Sequence, residues 1–430
     1  MVAKTAFHPH VHRYTAPRRG FHLLEALESR TLLSATLFVT PAVPPDATHF
    51  QTLQGALTMA ARGDTIVLQS GFSPGTFVTT ALTQAAAAGA TFLHTAAALD
   101  VGDVISIGNN IGGDTLERNL ITAVTALGPN DYLIALASPL LAAHSGSVVD
   151  ANNGTLGPAI GLAQGITLTA DSGVVLPFNL EIWQGGASSQ TTLANLNMGA
   201  YSLLIDGNGS TINNCTLGRV VVQAGATGNA FVHNTFNIAT GDGFSLERAD
   251  GTLLDSNTFH VTSSSAFAIL VHNSANVLIT NNFIQTGSGA TAIYVSADGT
   301  GSTSADIRNN ILQTTDGFGL VLAKSDTTAS LEARVQGNDL RANAIGVYVI
   351  GDGISAGNID LGGGSTVFGA STGGNDFSGF NLTDAGHFAI GLFGTGGACY
   401  IHANANKFSP SNPLNVVADS QHTPRPTARA

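Results

Sequence analysis

The chain has 430 residues, a formal net charge of −12, 51 glycines and only 10% charged residues. Between residues 40 and 409 there are 9 Lys and Arg against 25 Asp and Glu, a balance that argues against nucleic acid or an anionic membrane as partner, since both need a basic face. The 43% apolar content excludes a polyelectrolyte that stays unfolded, the length allows two or three domains, and no run of about 18 apolar residues offers a membrane span.

Residues 1–20 are rich in His, Arg and Pro and read as an unfolded leader; His8, His10 and His12 are better explained by that leader than by a metal site. Leu37 to Val39 forms a short strand ended by Pro41, Pro44 and Pro45. Asp46 or Thr48 is placed to cap a helix whose apolar residues Phe50, Leu53, Leu57 and Ala60 recur at helical spacing. Arg62, Gly63 and Asp64 then turn the chain into the strand Thr65 to Leu68, and turn chemistry explains this tripeptide better than an adhesion signal. Residues 72–152 form an inserted small antiparallel β-domain, because alternation recurs at 103–107, 120–124 and 132–136 between Gly, Asn and Pro turns. It serves as an accessory surface or as structural elaboration. From Gly161 the strands resume at 166–168, 174–176 and 180–183, the last ending in Trp183, for which core or cap packing is expected over an exposed sugar-stacking role.

A phrase then repeats: Cys215-Thr216-Leu217, Asn234-Thr235-Phe236, Asn257-Thr258-Phe259, Asn282-Phe283-Ile284, Asn310-Ile311-Leu312 and Asn338-Asp339-Leu340, with looser copies at Asn375 and Asn406. The steps are 19, 23, 25, 28 and 28 residues, a period that marks stacked repeats rather than one globular core. With the Asn as position zero, the column at −3 runs Ile212, Phe231, Leu254, Ile279, Ile307, Val335, and the column at +2 runs Leu217, Phe236, Phe259, Ile284, Leu312, Leu340, Phe377, Phe408. Both are apolar throughout, so positions −3, 0 and +2 face inward about a bend at the Asn, and −2, +1 and +3 face outward. A buried Asn is costly alone, but amides stacked every ~4.8 Å can bond one another, which makes the column a structural ladder. Coils of this length without helical pattern supply the crossovers that parallel strands need. The fold class is therefore all-β, a right-handed parallel β-helix with an N-terminal capping helix and the inserted β-domain. Residues 37–71 form the cap and first rung, 153–409 the β-helix, and 410–430 a disordered tail.

Two resemblances add to this. The stretch from Phe21 to Ala35, with Leu24-Glu25-Ala26-Leu27-Glu28 and Arg30-Thr31-Leu32-Leu33-Ser34-Ala35, resembles the LEPR-type N-terminal segment of planctomycete extracellular proteins, Ala26 standing where Pro is usual. That resemblance implies export or envelope attachment for residues 1–36. The segment from Phe50 to Leu68 resembles the N-terminal cap of secreted β-helix proteins, and the repeat resembles the pectate-lyase-like superfold. The Asn-Thr-Asp, Asp-Asp, Gly-His-Gly and Arg-Ile-Lys motifs of polygalacturonase-like enzymes do not occur, nor do the Arg and clustered-Asp motifs of pectate lyases. The resemblance therefore reaches fold and export without supplying an active site.

The outward columns carry the candidate residues. At +3 stand Asn237, His260, Gln285, Gln313 and Arg341, a weakly charged stripe suited to the hydroxyls of an extended polysaccharide; Asn237, Gln285 and Gln313 are the expected substrate-binding residues. At +1 stand Asp339, Asp376 and Lys407. A carbohydrate-active enzyme, a lyase or glycosidase on an acidic glycan, would use His260, Asp339, Arg341 and Asp376 as catalytic residues. No cofactor is required, and Ca²⁺ is the one the paired carboxylates could take; the Asp-Gly pairs at 298, 316 and 352 are turns rather than calcium loops. Asp242, Glu247, Arg248 and Asp255 form a second polar group near His233 that could serve the same ends or make surface ion pairs. Cys215 and Cys399 are either buried small residues or one disulfide. The expected partner is polysaccharide or a cell-envelope component, the expected location extracellular or the envelope, and the expected state a monomer.

Overall fold

The computed structural model describes residues 34–108, 115–151, 158–162, 165–183, 190–264, 266–351, 354, 358–380, 387–393, 401–409 and 417–419. The segment expected to direct export lies outside these residues up to Leu33, as do Cys399 and the Asp352-Gly353 pair. The chain winds as a right-handed parallel β-helix with three long parallel sheets. The first has 12 strands, running from Thr36–Val39 and Thr65–Leu68 through Thr211–Asn213 to Ile359–Asp360. The second has 11, from Ala159–Leu162 to Val417–Asp419, and the third has 8, from Thr216–Leu217 to Lys407–Phe408. Residues 417–419, from the tail expected to be unfolded, add the last strand of the second sheet, pairing in parallel with Ile390–Leu392.

The two apolar columns face inward. Every −3 residue from Ile212 to Val335 is fully buried, and so is the +2 column from Leu217 to Phe377. Like residues meet like across rungs: Phe236 and Phe259 stack at 4.2 Å with 2° between the rings, and Phe377 and Phe408 at 5.2 Å. The ladder Asn behave as expected of buried amides. Asn234, Asn257, Asn282, Asn310, Asn338 and Asn375 each donate through Nδ2 to Oδ1 of the next rung's Asn, at 2.9–3.0 Å. The bend itself sits one residue earlier than expected. Asn214, His233, Ser256, Asn281 and Asn309 hold φ near +55° there, in the left-handed region that short polar side chains tolerate best. The ladder amide is thus the first residue of the new strand direction, free to turn its side chain under the bend. Cys215, buried at the top of the column, donates its backbone N–H to Asn234 Oδ1, and one rung earlier Leu196 occupies the same place.

The helix is Leu53–Met59, shorter than its periodicity suggested, and its N-cap is Thr52, whose hydroxyl accepts from Gly55 N–H at 3.0 Å. Asp46 instead closes its own turn by accepting from Thr48 and His49 N–H, and Phe50 pairs as a strand with Val39. Asp64 ties the first rung together, accepting from Ala35 and Ala61 N–H at 2.7 and 2.8 Å. Strands Thr65–Leu68 and Thr167–Ala170 pair directly, so the intervening chain leaves the stack and returns without breaking it. That excursion holds a six-stranded, antiparallel sheet between Thr79 and Asp150 with its own core around Leu93, Ile105, Ile107 and Ile134. It packs on the helix end and the second sheet: Gln54 Nε2 donates to Asp103, and Trp183 is buried among Val104, Leu120 and Ala159.

Candidate functional site

The outer face of the third sheet carries the stripe. Its strands pair in register, Asn237 beside His260, His260 beside Gln285, and Gln285 beside Gln313. Asn237, His260 and Gln285 are exposed and Gln313 is half-buried. Their alternation with the buried +2 residues is what presents them to solvent, and parallel pairing spaces them about 4.8 Å apart. The His260 ring stands edge-on to Phe283 with centroids 6.4 Å apart.

The stripe ends differently from the expectation. Ile311 pairs with Asp339, but Gln313 pairs with Ala342 rather than Arg341, so the strand Asp339–Ala342 carries one extra residue. This bulge removes Arg341 from the +3 column. Its guanidinium turns instead to Asp339, with Nε and Nη2 donating to the two carboxylate oxygens at 2.9 and 2.6 Å. Asp339 pairs with Asp376 and Asp376 with Lys407 in the +1 column. Asp376 Oδ2 lies 3.8 Å from Arg341 Nε and accepts from Lys407 Nζ at 2.9 Å. The result is a charge-balanced cluster of two carboxylates and two cations.

Three of the four expected catalytic residues therefore meet, and His260 stands apart, three rungs or about 14 Å up the stack. The electrostatics of the cluster follow from its pairing. Hydrogen bonds from Arg341 hold the Asp339 carboxyl below its usual range. Burial raises Asp376, but bonds from Ser378 and Lys407 outweigh it and bring the group down to about 2. Asp339 in turn raises the Arg341 pKa. Both carboxylates are ionised near neutrality and are weak bases, and a Ca²⁺ ion would have to displace both cations from them. Among the described residues, no group of three or more His, Cys, Asp or Glu is assembled for a metal.

The second polar group does not converge. Glu247 and Arg248 form an exposed pair at 3.6 Å, Asp242 accepts from Phe267 N–H, and Asp255 bonds Thr280 and Asn281. For Asp255, burial is outweighed by these bonds, which lower its pKa.

Sequence reasoning missed a further surface. On the outer face of the second sheet, Phe267 and Tyr294 approach to 4.6 Å, Phe318 and Tyr348 to 5.3 Å, and Tyr348 and Phe393 to 4.7 Å. All five rings are half-buried. The signal was present in strands such as 345–351, where apolar residues occupy both faces instead of alternating.

Comparison with known proteins is consistent with this architecture. Residues 201–404 match the family model described as right handed beta helix region. Solved structures to which the chain is similar include the tailspike protein gp49 from Pseudomonas phage LKA1, at 12% identity over 90% of this chain and 71% of that one, TM-score 0.22. The catalytic domain of a GH87 α-1,3-glucanase in complex with nigerose is another, at 13% identity over 81% and 90%, TM-score 0.23. The periplasmic alginate epimerase AlgG is 10% identical over 61% and 78%, TM-score 0.20. No curated protein matches the sequence.

Proposed function

We propose that this protein is an exported or envelope-associated β-helix that binds an extended polysaccharide along its third sheet. The observation that carries the reading is the in-register stripe of Asn237, His260, Gln285 and Gln313. Amide and imidazole groups both donate and accept, as sugar hydroxyls do, and a flat row repeating once per rung suits a polymer better than a small molecule. The body's excess of acidic residues favours a glycan of low charge here. The LEPR-type segment supports export, and no helix among the described residues is long and apolar enough to cross a membrane. The paired, ionised state of Asp339 and Asp376 gives this binding role the advantage over acid–base catalysis, which needs a group titrating near the working pH.

Affinity electrophoresis through gels carrying neutral and acidic polysaccharides, with and without Ca²⁺, tests the reading. The triple variant N237A/Q285A/Q313A is expected to lose about tenfold or more in affinity for whichever polymer retards the wild type, since each hydrogen bond contributes about 0.5–1.5 kcal/mol. Retardation unchanged in the triple variant would refute the assignment of the stripe. Released oligosaccharide, abolished by Asp376→Ala, would establish the catalytic alternative in its place.

A further inference from the structure

A cleft lies where the inserted sheet meets the second sheet of the β-helix, on a different sheet from the stripe. Its volume is about 330 Å³, at the small end of ligand pockets. Leu204 and Val221 form an apolar floor; they are the outward residues of successive strands that pair with Glu181 in one column. Asn179, Ser202 and Gln223 add hydrogen-bonding groups at the rim. Arg118, reaching across from the inserted sheet, donates through Nη2 to Glu181 Oε2, while its buried Nε meets no acceptor among the described residues. Glu181 itself is 1% exposed, on a strand whose neighbours Leu180 and Ile182 point into the core. A carboxyl carried on the outer face of a core strand, then covered by a folded insertion, costs stability that its pairing with Arg118 has to offset.

We propose that this cleft is a binding site for a single neutral pyranose unit. An apolar floor with a polar rim is the surface a pyranose ring presents in reverse: a C–H face with hydroxyls around its edge. The unmatched Nε–H of Arg118 needs an acceptor, which a ring or hydroxyl oxygen supplies. Glu181 and Asp206 hydrogen-bond to each other, and Glu181 also accepts from Arg118. A carboxylate ligand would instead have to compete with Glu181 for Arg118, whose Nη2 is already committed to it. The site is separate from the third-sheet stripe, and neither reading depends on the other.

The charged groups acting on Glu181 are Arg118 from the inserted sheet and Asp206 from the next rung; Arg219 also lines the cleft. Burial pushes Glu181 above the usual carboxylate range; Arg118 opposes this and Asp206 adds to it. Asp206 is also raised by burial, while Glu181 and Arg118 pull it down. Burial thus favours keeping a proton within the Glu181–Asp206 pair, and its loss as pH rises leaves two buried like charges beside the cleft, so binding is expected to fall.

Trp183, the only tryptophan in the chain, reports on the site, because it is buried against Ala159, which lines the cleft. Its fluorescence is followed on titrating the full chain with methyl α-D-glucopyranoside, methyl α-D-mannopyranoside and methyl β-D-galactopyranoside, with D-glucuronate as the charged probe. At mildly acidic pH at least one neutral glycoside is expected to give a saturable change. Val221→Phe, which fills the floor with a strand-forming residue, should weaken it at least tenfold while circular dichroism and melting stay those of the wild type. Glu181→Gln should retain binding and lose its pH dependence. N237A/Q285A/Q313A should bind the glycoside as the wild type does. No saturable change with any neutral glycoside, a response to glucuronate alone, or full affinity in Val221→Phe would each overturn the proposal.

Discussion

Replacing Asn282 by Ala removes one step from the middle of the amide ladder. Its Nδ2 donates to Asn310 Oδ1 at 2.9 Å and to Leu254 O at 3.0 Å, and its Oδ1 accepts from Asn257 N and Nδ2 at 2.9 and 3.0 Å. All four bonds are buried, and Ala can replace none of them. At a net value of about 1 kcal/mol each, the loss is about 4 kcal/mol; the small volume change adds little, since Ala keeps the backbone bend. Urea unfolding followed by circular dichroism measures it, with hydrogen exchange locating the damage. Exchange is expected to quicken first at the Asn257 N–H, whose acceptor has gone. Because each rung touches only its neighbours, protection in the rungs near Thr36–Val39 should persist. A loss below about 1 kcal/mol, with Asn257 still protected, would show that water or backbone adjustment replaces the amide and that the ladder contributes little.

Two further outcomes concern charge. Asp103 is fully buried, and burial raises it to about 7 against the bonds from Asp100 N–H and Gln54. A carboxyl that titrates higher folded than unfolded weakens the fold as pH rises. Stability measured by urea unfolding should therefore fall between about pH 4 and pH 8 by up to about 4 kcal/mol. Asp103→Asn should flatten much of that slope, Glu181 contributing a remainder of the same sign; a profile for Asp103→Asn superimposable on the wild type would contradict the assignment. The cluster at the C-terminal end behaves in the opposite sense. Asp376 titrates lower when folded, so its pairing stabilises above about pH 4 and is lost as pH falls toward 2. With Lys407 and Arg341 well exposed, a double-mutant cycle of Lys407→Ala with Asp376→Asn should give a coupling under about 1 kcal/mol that fades in high salt. A coupling above about 2 kcal/mol, insensitive to salt, would mean the cluster is shielded from solvent and would restore it as a candidate centre.

The residues that were legible share one property. In a stack of parallel, in-register strands every rung repeats the environment of the last, so a column of Phe, Leu and Ile or of Asn records the same burial many times over. That redundancy let the inward columns, the third-sheet stripe from Asn237 to Gln313 and the structural role of the Asn be read from spacing alone. The bend escaped by one residue, because left-handed φ is tolerated by Asn, His and Ser alike and leaves no single letter behind. Arg341 escaped because a bulge is a one-residue insertion in pairing, not in sequence pattern, and it exchanged a place in the stripe for an ion pair with Asp339. The aromatic surface around Tyr348 left a signal in its two-sided apolar strands, whereas the cleft at Glu181 was decided by tertiary structure. The inserted sheet folds back on the second sheet through contacts that occur once in the chain, between residues such as Arg118 and Glu181 that are far apart in sequence. A contact made once has no period, so only the folded chain brings its two halves together.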